Sequence, residues 1–190
     1  MPPAAKELSG AKWVARFPDG GATSALSNDF RPGCEAFIAA MKAAGAIVTV
    51  SSTRRPDERA WLMHHAWKVH KQTLNPQNVP AKAGVNIEWV HRTAGGAVDL
   101  AASRKAATAM VNGYGIAFQP AINSRHTEGR AIDMSIKWTG TLTVNKKNGT
   151  PTSISDAPRN GFNTQLRSVG KTYGVTKHPT DPPHWSTDGH

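Results

Sequence analysis

The stretch that most constrains the fold is Ala131–Trp138, AIDMSIKW. Its residues alternate. Ile132, Met134 and Ile136 fall on one face of an extended chain, and Asp133 and Ser135 fall on the other. Such a strand belongs to a sheet with one covered face and one open face. Something apolar must cover the first face, and the rest of the chain supplies helices for that purpose.

RPGCEAFIAAMKAAG, residues 31–45, opens with Pro32, keeps apolar spacings of three and four, and closes on Gly45, which predicts a helix. The β-branched run AIVTVSST predicts a strand. PDERAWLMHHAWKVHKQTL reopens with Pro56 and two acids and sets Trp61, Leu62, Ala66 and Val69 at helical spacing, predicting an amphipathic helix. A third helix is expected over VDLAASRKAATAMVNGYG and a fourth over GFNTQLRSVGKTYG. NPQNVPAKAGVNIEWVHRTAGG reads as loop, and TLTVNKKNGTPTSIS as short strands with turns. Helices followed by an antiparallel β portion predict a small single α+β domain, its sheet covered by helices. The expected division is an irregular segment over residues 1–30 and one catalytic domain over 31–190.

The chain has 190 residues and needs no disulfide framework; its only cysteine, Cys34, has no internal partner. No run of 18 apolar residues and no signal-peptide pattern is present, so no transmembrane segment is expected and synthesis is expected in the cytoplasm. The formal net charge of +10 favours an anionic surrounding. The lysines and arginines are dispersed, with no helix-turn-helix or finger spacing, and no nucleic-acid partner is expected.

The chemistry concentrates in SRHTEGRAIDM and DPPHW. On one helix His126 and Asp133 would stand about 10.5 Å apart along the axis, too far for one metal ion. Gly129 permits the turn that lets them meet. A catalytic zinc takes three protein ligands, and His184 is the candidate third. Asp181 precedes it by three residues, and Pro182 and Pro183 favour polyproline II, which would point Asp181 and His184 to one side. A carboxylate there suits a base beside an activated water.

This ordered set resembles the S-x-H-x-x-G-x-A-x-D motif of zinc peptidases that cut peptidoglycan stem peptides. Those are the VanY-type D-Ala-D-Ala carboxypeptidases and the phage L-alanyl-D-glutamate endopeptidases, of the Hedgehog/DD-peptidase fold. Ser124, His126, Gly129, Ala131 and Asp133 match it. The resemblance spans roughly residues 45 to 187 and implies Zn2+ on His126, Asp133 and His184, with Asp181 as catalytic base and acid. It also implies an S-x-x-R element, supplied by SSTRRP in two registers. Arg54 is the preferred substrate arginine and Arg55 the alternative. Ser124 and Trp185 are further candidate substrate contacts. Asp181, where many carboxypeptidases carry glutamate, tilts the expectation toward the endopeptidases.

The implied function is bacteriolytic hydrolysis of a stem-peptide bond by a monomer acting on the cell wall. It would be reached by phage release or by a secretion system, with anionic envelope surfaces as a further partner. The competing expectations are a D-Ala-D-Ala carboxypeptidase, a secreted antibacterial effector of the same family, and a non-catalytic envelope-binding module. Glu88 and His91 mimic a Glu-x-x-His pair but precede the motif instead of following it. His64, His65 and His70 lack the offsets of three or four that helical metal pairs favour, so a solvated or partly packed helix face is expected for them.

Overall fold

Two hydrophobic cores organise the protein. A computed structural model describes residues 5–190. In chain order the elements are β1 (Glu7–Leu8), α1 (Arg31–Ala43), β2 (Ile47–Ser52), α2 (Asp57–His70), β3 (Ile87–Glu88) and α3 (Leu100–Tyr114). There follow β4 (Ala131–Lys137), β5 (Leu142–Asn145), β6 (Pro151–Ile154), α4 (Thr164–Thr172), β7 (Thr176–Lys177) and β8 (His184–Ser186). The result is α+β with four helices and antiparallel sheets, apart from a short parallel pairing of β1 with β3. No helix among the described residues is long and apolar enough to cross a membrane.

The chain groups into two compact units, one of residues 1–18 and 56–123, the other of residues 19–55 and 124–190. The sequence reading divides the chain at residue 30 instead. The difference arises because residues 19–30 pack with the second core, where Leu26 and Phe30 are buried, while Trp13 is buried in the first.

In the first unit, Trp61, Leu62, Ala66 and Val69 of α2 bury against Ala107, Met110 and Val111 of α3. The histidines of α2 are packed to differing degrees, the second of the two arrangements expected for them. His65 is 5% exposed, its ring lies 4.5 Å from that of Trp61, and its Nδ1 donates to the Trp61 carbonyl one turn back at 2.9 Å. His64 reaches the Pro120 carbonyl and His70 the Thr108 hydroxyl, each at 2.8 Å. The stretch read as loop between α2 and α3 contains β3, whose partner β1 lies in the segment read as irregular. Glu88 accepts from its near neighbour Val90 N–H, and His91 Nε2 meets the Ser9 hydroxyl at 3.1 Å, so both are engaged locally.

The second unit carries a four-stranded antiparallel sheet in the order β2-β4-β8-β7, and β5 and β6 form a separate hairpin. Ile132, Met134 and Ile136 are buried as alternation requires, packed with Phe37, Ile38 and Met41 of α1 and Leu166 and Val169 of α4. Cys34 is fully buried in the same core, and burial pushes its thiol up to about 12. Trp185 is 0% exposed, with its ring 5.4 Å from Phe37. A side chain so enclosed offers no surface to a substrate, and Trp185 is a core residue instead of the substrate contact read from the sequence.

Candidate metal centre

β4 delivers Asp133 on the open face of its strand, opposite the covered Ile132 and Met134. β8 pairs antiparallel with β4 and sets His184 directly across from Asp133. His126 arrives on the turn of residues 124–130, closed by hydrogen bonds from Glu128 N–H to the Ser124 carbonyl and from Gly129 N–H to the His126 carbonyl, each 3.1 Å. Gly129 sits at φ +71, and a Cβ there would lie 3.0 Å from Ser27 N. The position is left-handed and crowded, so glycine is required twice over.

These elements bring His126, Asp133 and His184 into one cluster, with one ligand atom from each within 4.8 Å of the others. Asp133 Oδ1 lies 3.3 Å from His126 Nε2 and 3.3 Å from His184 Nδ1. The two imidazole nitrogens stand 3.1 Å apart. Both histidines are buried, at 6% and 8% exposure.

The outer nitrogens decide the tautomers. His126 Nδ1 lies 2.6 Å from the Thr53 carbonyl and His184 Nε2 lies 3.1 Å from the His190 carbonyl. A carbonyl only accepts, so each of these nitrogens carries the proton. The inner nitrogens then present lone pairs to each other and to a carboxylate oxygen that is buried without a hydrogen-bond partner. Three electron-rich atoms converging in a buried place call for a positive charge between them. Ligands about 2.0–2.1 Å from a tetrahedral ion stand roughly 3.3 Å apart, and the observed separations match that edge. The residues therefore fit a metal ion held by two imidazoles and one carboxylate, each histidine oriented from behind by a backbone carbonyl.

Protonation follows the same logic. Burial opposes the charge on His126, but the contact with Asp133 outweighs it and the pKa is raised. Burial likewise opposes charge on Asp133, but the two imidazoles outweigh it and hold the carboxyl far below its usual range. The pocket selects for a cation.

The segment leading to His184 is fixed by a residue that sequence reasoning missed. Lys177 is 2% exposed, and its ammonium donates to the carbonyls of His178 at 2.9 Å, of His184 at 3.1 Å, and of Asp181. It also lies 4.7 Å from the Phe162 ring centroid. Burial lowers its pKa to about 8. One buried ammonium thus gathers three carbonyls of one loop. Asp181 and His184 are joined by a turn, with His184 N–H on the Asp181 carbonyl at 3.3 Å, instead of the extended polyproline II read from the two prolines. Pro suits the corner of a turn as well as it suits polyproline II, and the inward carbonyls serve Lys177. His178 accepts from Asp181 N–H at 3.0 Å, and its ring lies 5.6 Å from that of His184.

Asp181 is exposed on that loop, its backbone taken up by Lys177, His178 and His184. Arg54 is exposed and lines a cavity with Ser24–Asn28 and Glu128. Arg55 is half-buried, pairs with Asp19 at 3.3 Å, donates its N–H to the His126 carbonyl at 3.0 Å, and bears electrostatically on His126. Ser124 ties the turn, its N–H on Thr127 Oγ1 at 2.8 Å and its hydroxyl taking Thr127 N–H at 3.4 Å. Ser51 donates to the Asp133 carbonyl at 3.2 Å. No family model matches the chain, and no curated protein matches it.

Proposed function

We propose that the protein is a zinc-dependent hydrolase of a peptide bond in the peptidoglycan stem peptide, of the L-alanyl-D-glutamate endopeptidase type. The observation that carries this reading is the convergence of His126, Asp133 and His184, in motif order, with all lone pairs directed inward. The resemblance of SRHTEGRAIDM and DPPHW to the stem-peptide zinc peptidases of the Hedgehog/DD-peptidase fold supports the substrate class.

His126, Asp133 and His184 would hold the ion. Zinc bound by three protein ligands supplies a Lewis acid and a water of lowered pKa. The chain's own residues do the rest. Asp181 takes the proton from the attacking water and returns it to the leaving amine. Its backbone is tied to the Lys177 ammonium and to His184 N–H. An arginine of the 54–55 pair neutralises a substrate carboxylate or the developing oxyanion. Arg54, exposed beside Glu128 on a cavity, is the preferred candidate, and Arg55, paired with Asp19, is the alternative. The basic charge of +10 brings a monomeric enzyme to an anionic envelope.

Purified peptidoglycan digested with the zinc-loaded protein tests this. Mass spectrometry should find fragments cut between L-alanine and D-glutamate, and both chelation and Asp181→Ala should abolish them. Release of D-alanine alone would make the protein a carboxypeptidase. Binding to peptidoglycan without fragments would make it a non-catalytic envelope module. Full cleavage by Asp181→Ala would remove Asp181 from the mechanism.

A further inference from the structure

β8 covers β4 only over Ala131–Asp133. Beyond that point Met134 N–H bonds the Pro183 carbonyl at 2.8 Å, and Lys137 bridges to Asn160. Between these two attachments lies a cavity of about 420 Å³, lined by Ser51, Ser135 and Lys137, by Asn160–Phe162 and by Pro182–Pro183. Ser135 and Lys137 are exposed and lie on the same strand face as Asp133. The cavity thus continues the face that carries the metal ligand.

Its walls are built in. Asn160 Oδ1 takes Phe162 N–H at 2.9 Å, and Asn163 Nδ2 donates to the Asp156 carbonyl at 2.9 Å, fixing one side. Pro183 on β4 and Asp181 on Lys177 fix the other. Pro182, Pro183 and Phe162 contribute apolar lining, and Lys137, the lining residue farthest along β4 from Asp133, contributes a cationic one. Among the described residues no carboxylate pairs with the Lys137 ammonium. Lys137 lies four residue steps along the strand from Asp133, a run of about 13 Å.

We infer that this cavity is a specificity subsite for the acidic peptide that the centre cleaves, and that Lys137 binds a carboxylate of that peptide three to four residues from the scissile carbonyl. The inference rests on the hydrolase reading and names the substrate feature that the reading leaves open. An extended peptide advances about 3.5 Å per residue, so a carboxylate at that remove spans the run from Asp133 to Lys137. The apolar walls accept the side chains between.

The test uses zinc-loaded full-length protein and two synthetic stem tetrapeptides, one with a free C-terminal carboxylate and one with that group as an amide. Amidation should raise KM about fivefold in the wild type with kcat within twofold, as expected for one solvent-accessible ion pair. Lys137→Met should cleave both peptides at the wild-type rate for the amide, and Lys137→Glu should prefer the amide. Equal KM values for the two peptides in the wild type would overturn the subsite while leaving the hydrolase reading in place. Calorimetric titration of both peptides into the metal-free protein separates the other failure. Discrimination in binding without cleavage would overturn the hydrolase reading and keep the subsite, and neither binding nor cleavage would overturn both.

Discussion

The Lys177 ammonium sits 3.1 Å from the carbonyl of His184, so a buried cation braces the backbone of a candidate metal ligand. Its other partners, the carbonyls of His178 and Asp181, belong to the same loop. Removing the ammonium leaves three inward carbonyls without a donor and loosens the path to His184. We expect Lys177→Met to keep its far-UV circular dichroism while zinc affinity falls about 10- to 100-fold, as is usual when support behind a ligand is lost. Competition against a chromophoric chelator measures it. Unchanged affinity would show that the loop holds itself.

The three inward lone pairs predict stabilisation by a divalent ion. At a free concentration a thousand times Kd, zinc should add about 4 kcal/mol, a rise in Tm on the order of 10 °C for a chain this size. Asp133→Asn removes the anionic ligand and should show less than half of that rise in differential scanning calorimetry. An identical rise in both proteins would locate the zinc elsewhere.

His65 makes the first unit sensitive to acid. Burial lowers the pKa of its imidazole, outweighing the Trp61 carbonyl, which opposes the shift. The unfolded chain therefore binds a proton near pH 6.5 that the folded chain refuses. In that window the unfolded state holds more protons, so stability rises with pH and is lost as pH falls through the folded value. Urea denaturation at pH 5.5 and 7.5 should show a drop for the wild type and a smaller drop for His65→Gln. Equal drops would mean that other groups set the acid limit.

Gly129→Ala places a Cβ 3.0 Å from Ser27 N at a φ of +71. The left-handed backbone alone costs about 1–2 kcal/mol, and the contact adds to it. Denaturation should show at least that loss, with weaker zinc binding because the turn carries His126. A neutral substitution would mean that the turn relaxes without moving its histidine.

Much of the second unit could be read from local pattern. The alternation of Ile132, Asp133 and Met134 is a property of the strand itself, and the structure buries the first and third while aiming the second at the cluster. His126, Asp133 and His184 were readable because their order and spacing occur together, with Gly129 marking the turn. Four helices were equally visible, since capping and periodicity are local.

What escaped depends on long-range packing. Nothing in a lysine of a two-residue strand announces that three carbonyls will gather on it, so Lys177 carried no signal. Trp185, beside a candidate ligand, could be read as packing or as a substrate contact, and all three residues of β8 are buried with its own ring against Phe37. Arg54 and Arg55 are adjacent, and only the path of the chain between β2 and α2 decides which one faces Asp19. The partition into two cores is likewise invisible in any single window, because residues 5–18 and 56–123 share a core without being contiguous.

That partition has a consequence for how the protein assembles. The chain leaves the second unit at Arg55 and rejoins it at Ser124, and Arg55 N–H on the His126 carbonyl pins exit to re-entry. The pairing of β2 with β4, and with it the meeting of Thr53 and His126, is a closure over the whole intervening stretch. Much of that stretch forms the α2 and α3 packing of its own core. If it condenses first, the loop to be closed is shortened before its ends meet, and a slow, non-local search becomes the docking of two nearby strand ends. The first unit would then act as the spacer that sets when Thr53 and His126 meet.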